Sequence, residues 1–315
     1  MTTRKEHSNP AIQEEIYSRL GLHGDLPTRA MMWVLRSFPR MPFLLEATLL
    51  YLTAFVVLIL AGPQRRAIRH NLGAIWHDLG WIEGYVGVFR VFVNFGWTYS
   101  DGSRTRLGQD VISWDIEGRD IFDELREGSE AALIMTTHTG NYDLAAALFS
   151  EHFGRTLHTV RIPEKSDHLE SMRREELASD TRQYRYFKIH YNESQSMLGV
   201  KLAQLLGEGE LVAIQCDRIV GEVSALEVPI PNDWIARIPK GPLTLAAMTK
   251  CPCIPLYVVR SGYRHYTVIF EPRLVLPEGR IREKEYGKAW TDRLMPFLEK
   301  YGLQWFAFEE AFVKK

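Results

Sequence analysis

The spacing of apolar and polar positions changes near residue 110 of this 315-residue chain. Between about residues 41 and 100, apolar side chains recur at intervals of three and four, which is typical of helices. Beyond residue 112, short apolar runs such as 131–138, 210–217 and 253–260 alternate with predicted helices. Those helices include 118–129 and 194–209, which glycines end, and the segments 141–153 and 166–181. Unbroken short runs indicate strands buried on both faces, and their alternation with helices predicts an α/β fold.

We therefore predict one α/β domain over residues 111–315, with a central mixed, mostly parallel sheet flanked by helices. Residues 1–110 form an N-terminal helical region that includes a membrane-associating segment. No repeat, low-complexity stretch or Gly/Ser/Pro-rich linker interrupts the sequence.

The segment at residues 41–62 contains a single charged residue, Glu46, and is nearly long enough to cross a bilayer. Basic residues stand on both sides of it, namely Arg36, Arg40, Arg65, Arg66 and Arg69. Cations on both flanks do not define an inside and an outside, so this pattern favours a helix lying at one membrane face. A true transmembrane span and a helix of the soluble core are the two alternatives.

Composition limits the partners and the compartment. The net charge of −1 and the absence of a Lys/Arg run argue against binding to nucleic acid. The three cysteines, Cys216, Cys251 and Cys253, lack disulfide-like or zinc-like spacing, which fits buried thiols in a reducing compartment. The polar first seventeen residues show no cleavable signal peptide. We expect no metal site.

The candidate chemistry lies in "HTGNYD", where a predicted strand ends at His138 and a predicted helix follows. The flexibility of Gly140 and the capping preference of Asn141 allow the chain to bend, which can bring Asp143 back to the imidazole. A carboxylate on one ring nitrogen would leave the other to act as a general base. Alternatively, His138 caps the helix and Asp143 is an acid of its first turn. The sequence contains neither a G-x-S-x-G nor an H-E-x-x-H motif.

This sequence resembles the lysophospholipid acyltransferase superfamily, in particular its branch of bacterial lipid A late acyltransferases. "HTGNYD" is similar to the H-x4-D/E motif of that superfamily, and the resemblance extends over roughly residues 30–312. The other similar blocks, in chain order, are "RRAIRHNLGAIW", "FRVFVNFGWTYSD", "TVRIPEK", "LVAIQCDRIVGE", "RIPKGPLTLAAMTKCPCIPLYVVR" and "LQWFAFEEAF".

The resemblance implies an acyltransferase that moves a fatty acyl chain from an acyl-ACP or acyl-CoA thioester to a hydroxyl or amine of a membrane lipid. His138 would then deprotonate the acceptor while Asp143 orients the imidazole. Gly140 and Asn141 would shape the turn or supply oxyanion donors. No cofactor is implied beyond the thioester co-substrate.

Five further positions match substrate-binding blocks of the resembled family. A cation at Arg161 could hold a phosphate of the acceptor or the donor, or form a salt bridge with Glu164 or Asp167. Asp217 and Arg218 match a later block, and an internal ion pair that supports the active-site loop is the alternative. Lys240 and Gly241 also match by position, although Lys240 could equally be a solvated cation.

Thr139 and Asp143 depart from the aromatic residue and the glutamate that are common in the lipid A branch. The acceptor could therefore be lipid A or another glycolipid or amino-acid lipid. The resemblance places the protein at the cytoplasmic face of the bacterial inner membrane. A thioesterase or lipid hydrolase using the same His–Asp pair, and a catalytically silent lipid-binding protein, are the alternative functions.

Overall fold

The computed structural model describes residues 37, 40–106, 109, 111–142, 145, 154–161, 187–192, 197–220, 223–277 and 282–315. Helices α1 to α7 are Phe43–Leu60, Gly62–Trp76, Trp81–Arg106, Arg119–Glu127, Leu198–Gly207, Lys240–Thr249 and Glu283–Tyr301. Strands β1 to β10 are Ser113–Glu117, Ala132–Thr136, Leu157–Arg161, Phe187–Tyr191, Leu211–Gln215, Ala225–Ile230, Trp234–Pro239, Cys253–Gly262, His265–Phe270 and Phe312–Lys314.

Seven strands form the central sheet in the order β1-β9-β8-β2-β5-β3-β4. Strands β8, β2, β5, β3 and β4 are parallel to one another, whereas β9 is antiparallel to β8, and β1 is parallel to β9. The residues of β2 are almost all buried, as its unbroken apolar run predicts. The predicted mixed, mostly parallel sheet flanked by helices is confirmed.

A second, three-stranded antiparallel sheet in the order β10-β7-β6 was missed by the sequence analysis. Asn232 and Asp233 turn the chain between β6 and β7 with φ angles of 59° each. Asn and Asp tolerate this left-handed backbone better than other non-glycine residues, so "PND" between two short apolar runs was the available signal. The long helix α7 was also not predicted.

The apolar segment predicted at 41–62 forms helix α1, which packs against α3. Its one charged residue, Glu46, is fully buried and accepts hydrogen bonds from Arg104 of α3 at 2.7 Å and from Ser100. Arg264, in the turn between β8 and β9, lies 3.5 Å from the same carboxylate. A buried carboxylate needs such partners, and they fix which face of α1 meets the protein.

The opposite face of α1 is apolar and exposed, with Leu44, Leu52, Phe55 and Ile59 all at least half accessible. In the part of the chain that the structure describes, α1 is the one helix long and apolar enough to cross a membrane, and 22% of it is buried. Helix α1 is therefore packed on the protein along one face and exposed along the other, so it is not a fully buried core helix.

Some sequence predictions fall outside the described residues. Of the helix predicted over 141–153, three residues are described: Asn141 lies in a turn, and Tyr142 and Ala145 are helical. The helix predicted over 166–181 lies outside the described residues, as do Glu164 and Asp167. The division of the chain at residue 110 stays a prediction.

Two histidines face each other on the last two strands at one edge of the main sheet. Nδ1 of His158 on β3 lies 2.8 Å from Nε2 of His190 on β4. Burial, followed by the cations Lys201 and Lys188 and by His158 itself, lowers the pKa of His190 to about 4. Burial also lowers the pKa of His158. A neutral pair can share one hydrogen bond, whereas two protonated rings would repel each other.

We expect His190→Asn to make the protein less sensitive to acid. Because the folded-state pKa of His190 is about 4 and its unfolded value is ~6.5, the unfolded chain binds the extra proton between those pH values. The free energy of unfolding should therefore fall as pH drops through this window, and less so in the variant. Urea unfolding at pH 7 and pH 5 measures the difference, with His265→Asn near the opposite edge of the sheet as the control. If the two variants lost the same free energy of unfolding between pH 7 and pH 5, the acid sensitivity would not come from His190.

Candidate active site

The turn after β2 places His138 at the carboxyl edge of the parallel strands, where open α/β sheets bind ligands. Strand β5 is the neighbour of β2 in the sheet. The segment after β5 is held against the end of β2 because the Cys216 N–H donates to the Thr136 carbonyl oxygen at 2.9 Å. The Trp290 indole of α7 donates to the Cys216 carbonyl oxygen at 2.9 Å and so fixes the same segment. These bonds bring Asp217 beside His138.

His138 and Asp217 are joined by two hydrogen bonds. Nδ1 of His138 lies 2.7 Å from Oδ1 of Asp217, and the His138 backbone N–H donates to Oδ2 at 2.9 Å. Both side chains are buried. An ionised carboxylate only accepts hydrogen bonds, so the proton of the neutral imidazole is on Nδ1 and the lone pair is on Nε2.

The charge on Asp217 is stabilised by its surroundings. Burial by itself raises the pKa of the Asp217 carboxyl, but the His138 side chain, its two hydrogen bonds and the nearby Arg218 outweigh burial and lower that pKa. The Trp305 indole N–H donates to Oδ2 at 2.7 Å. The carboxylate therefore stays ionised at neutral pH and can support an imidazolium.

A C-terminal segment runs antiparallel to the His138 turn and fixes its backbone. Phe306 N–H donates to the His138 carbonyl oxygen at 2.9 Å, and Thr139 forms a bridge with Trp305. The Gly140 N–H donates to the Gln304 carbonyl oxygen at 3.2 Å. The "LQWF" sequence thus holds both the turn and the carboxylate that faces it.

Gly140 adopts a φ of 52°, and a Cβ on it would lie 2.4 Å from the Val258 carbonyl oxygen. No other residue fits there without moving β8. The Gly140 N–H already donates to Gln304, so it is not available as an oxyanion donor. Of the two roles that the sequence left open for Gly140, this geometry favours shaping the turn. The Asn141 amide donates to the Thr98 carbonyl oxygen at 3.0 Å and so joins the turn to α3.

In a comparison with known families, residues 104–310 match the model of the bacterial lipid A biosynthesis acyltransferases. That range is about two thirds of the chain and contains His138, Asp217 and Trp305. The chain belongs to this family. It is an acyltransferase that acts on lipid. No curated protein sequence matches the chain.

The other residues that the sequence predicted for the site of this acyltransferase lie at different distances from His138, and one is outside the described residues. Asp143 lies outside the described residues, so its orienting role stays a prediction. Arg161 ends β3, two strands from β2 at the same edge of the sheet. Arg218 is buried, with Nη1 4.0 Å from Glu309, and adjoins the His138–Asp217 pair.

Lys240 and Gly241 begin helix α6, directly after β7 of the smaller sheet, and both are exposed. The contacts described for Lys240 include a bond from its N–H to the Ser224 carbonyl oxygen, and none to His138 or Asp217. Their participation in substrate binding stays a prediction.

The Asp217 side chain contacts His138, which agrees with the internal pair that the sequence analysis gave as the alternative, and its contact with substrate stays a prediction. Two further residues near the imidazole were missed by sequence reasoning. Trp305 and Tyr142 were given no role, although the Tyr142 ring lies 5.4 Å from the imidazole, edge to face. The only sequence signal for Trp305 was its place in the "LQWFAFEEAF" block.

Among the residues that the structure describes, no group of three His, Cys, Asp or Glu side chains is arranged to hold a metal ion.

We expect Trp305→Phe to lower kcat by roughly 10-fold or more with little change in KM, because a hydrogen bond to a buried charged group is lost while the ring remains. Steady-state kinetics of acyl transfer measure the effect. Trp76→Phe is the matched control, since its indole donates to the Glu299 carbonyl oxygen at 3.0 Å on the surface. An unchanged kcat in Trp305→Phe, or an equal loss in the control, would refute a positioning role for Trp305.

Proposed function

We propose that this enzyme transfers a fatty acyl chain from an acyl-ACP or acyl-CoA thioester to a hydroxyl or amine of a membrane lipid or glycolipid. His138 is the general base and Asp217 is the carboxylate that orients it. The observation that supports this most directly is the pair of hydrogen bonds from His138 to one buried carboxylate, which fixes both the ring and its tautomer.

In the proposed reaction, Nε2 of His138 takes the proton of the acceptor hydroxyl or amine as the acceptor atom attacks the thioester carbonyl carbon. Asp217 stabilises the imidazolium formed in this step. The carbon–sulfur bond then breaks, and the imidazolium returns the proton to the leaving thiolate. The step needs neither a covalent acyl-enzyme nor a bound cofactor.

The assignment of the orienting carboxylate to Asp217 can be tested against Asp143. We expect Asp217→Asn to lower kcat strongly, by roughly 100-fold or more, because the amide can present its NH2 group to Nδ1 and favour the wrong tautomer. His138→Ala should lose activity to a similar extent. Asp292→Asn on the exposed face of α7 is the control.

The same variants decide between the two carboxylates. A strong loss in Asp143→Asn with little effect of Asp217→Asn would contradict the assignment and restore the sequence prediction. The assay follows both acyl-lipid product and free fatty acid. Equal release of fatty acid with and without a lipid acceptor would instead support the thioesterase alternative.

We propose that helix α1 lies in the plane of the membrane surface. Glu46 on its buried face pairs with Arg104 and Arg264, so the helix cannot leave the domain without separating these charges. Its exposed face and the half-exposed Tyr263 ring, which packs on Phe43, form a continuous apolar surface that a bilayer can cover. Because thioester donors are cytoplasmic, the proposed side is the cytoplasmic face of the bacterial inner membrane.

We expect the double variant Leu52→Asp/Phe55→Asp to lose most of its attachment to membranes while remaining folded, because both side chains point away from the protein. Co-sedimentation with vesicles that contain anionic lipid measures attachment. Met248→Asp, at a similarly exposed apolar residue outside α1, is the control. Undiminished sedimentation of the folded double variant would refute in-plane docking through this face.

A further inference from the structure

Arg260 lies at the carboxyl end of β8, close to the His138 turn. Strand β8 is parallel to β2, and Thr136 pairs with Leu256, so both strands end at the same edge of the sheet. Gln304 joins Arg260 to the turn. Its side chain accepts the Arg260 N–H at 2.6 Å and donates to the Arg260 carbonyl oxygen at 2.9 Å, while its backbone carbonyl accepts the Gly140 N–H.

The guanidinium of Arg260 has few polar partners for its degree of burial. It lies over the Trp97 ring, with Cζ 4.9 Å from the ring centroid. Its Nε is 3.7 Å from Oδ2 of Asp101, beyond hydrogen-bond distance, and is buried without a hydrogen-bond partner. The side chain is 16% exposed. Within the described structure the guanidinium makes no hydrogen bond, so its buried Nε–H is left unsatisfied and its other N–H groups are available to a ligand.

The neighbouring charges leave Arg260 incompletely balanced. Arg104 and Arg264 both contact the single carboxylate of Glu46. The remaining acid, Asp101, accepts a hydrogen bond from the Tyr266 hydroxyl at 2.7 Å. Burial raises the pKa of Asp101. Among the described residues of this cluster, three guanidinium groups therefore face two carboxylates.

We propose that Arg260 binds a phosphate group of one of the two substrates and thereby positions that substrate at His138. This inference rests on the proposed acyl transfer and names the substrate feature that the site selects. The phosphate can belong to the headgroup of the acceptor lipid or to the pantetheine arm of the donor, because both present the same anionic oxygens.

The chemistry of the residue fits this ligand. A guanidinium offers two parallel N–H groups that match two phosphate oxygens, and stacking on an indole face holds its plane while leaving the edge available. The membrane-facing helix α1 meets the same cluster through Glu46, so the site lies between the proposed membrane surface and the proposed base. A phosphate there would be close to lipid headgroups.

A four-arm kinetic experiment on the full-length enzyme tests the proposal. The acceptor is a phosphate-bearing glycolipid in vesicles, before and after phosphatase treatment. The donor is acyl-CoA or the corresponding phosphate-free acyl-N-acetylcysteamine thioester. KM is measured in each arm, and the ratio of KM without and with phosphate gives the phosphate preference for each substrate.

We expect the unchanged enzyme to prefer the phosphate-bearing form of one substrate by roughly 10- to 100-fold in KM. Arg260→Gln should bring that ratio close to one, and Arg260→Lys should retain part of it because a point charge remains without the planar fork. Loss of the ratio for the acceptor identifies the headgroup, and loss for the donor identifies the pantetheine arm.

Arg273→Gln is the control, since Arg273 is exposed and paired with Glu124 at 3.2 Å. A phosphate ratio that is unchanged in Arg260→Gln, even with a general loss of activity, would overturn the proposal without affecting the role of His138. If Arg260→Gln does not fold, Arg260→Lys decides by the same ratio. Failure of the proposed base would appear instead in the His138 and Asp217 variants, which would then remain active in every arm.

Discussion

The buried carboxylate of Asp217 is the group on which the arrangement of the site depends. It joins three separate parts of the chain. Asp217 lies just after β5, and its carboxylate accepts hydrogen bonds from His138 in the turn after β2 and from Trp305 in the C-terminal segment. A charge without water is stable only with such partners, so the positions of these segments are mutually constrained. The same bonds that satisfy the carboxylate also fix the imidazole in one tautomer.

A second buried carboxylate, Glu46, has the corresponding role between the apolar helix α1 and the rest of the described structure. Its contacts with Ser100, Arg104 and Arg264 determine how α1 is rotated. Because α3 also contacts the His138 turn through Asn141, one helix adjoins both the apolar surface and the candidate site. The orientation of the proposed membrane-binding face relative to His138 thus follows from packing around a few charges.

The sequence predicted much of the fold because its signals were local. The unbroken apolar run at 131–138 predicted β2, and the glycines after α4 and α5 predicted where those helices end. The hairpin of β6 and β7 was missed because its strands are short and mix apolar with polar positions, and its stability comes from pairing with β10 far along the chain. Local spacing does not contain such pairings.

The sequence by itself determined the α/β class, the position of the His138 turn and the family, since each depends on residue order and on periodicities of two to four residues. Which carboxylate meets Nδ1 of His138 was decided only by the tertiary structure. Spacing favoured Asp143, five positions away, whereas the described structure brings in Asp217 from 79 positions along the chain. The physical reason is that parallel strands β2 and β5 are neighbours in the sheet, so their carboxyl ends meet although the sequence separates them.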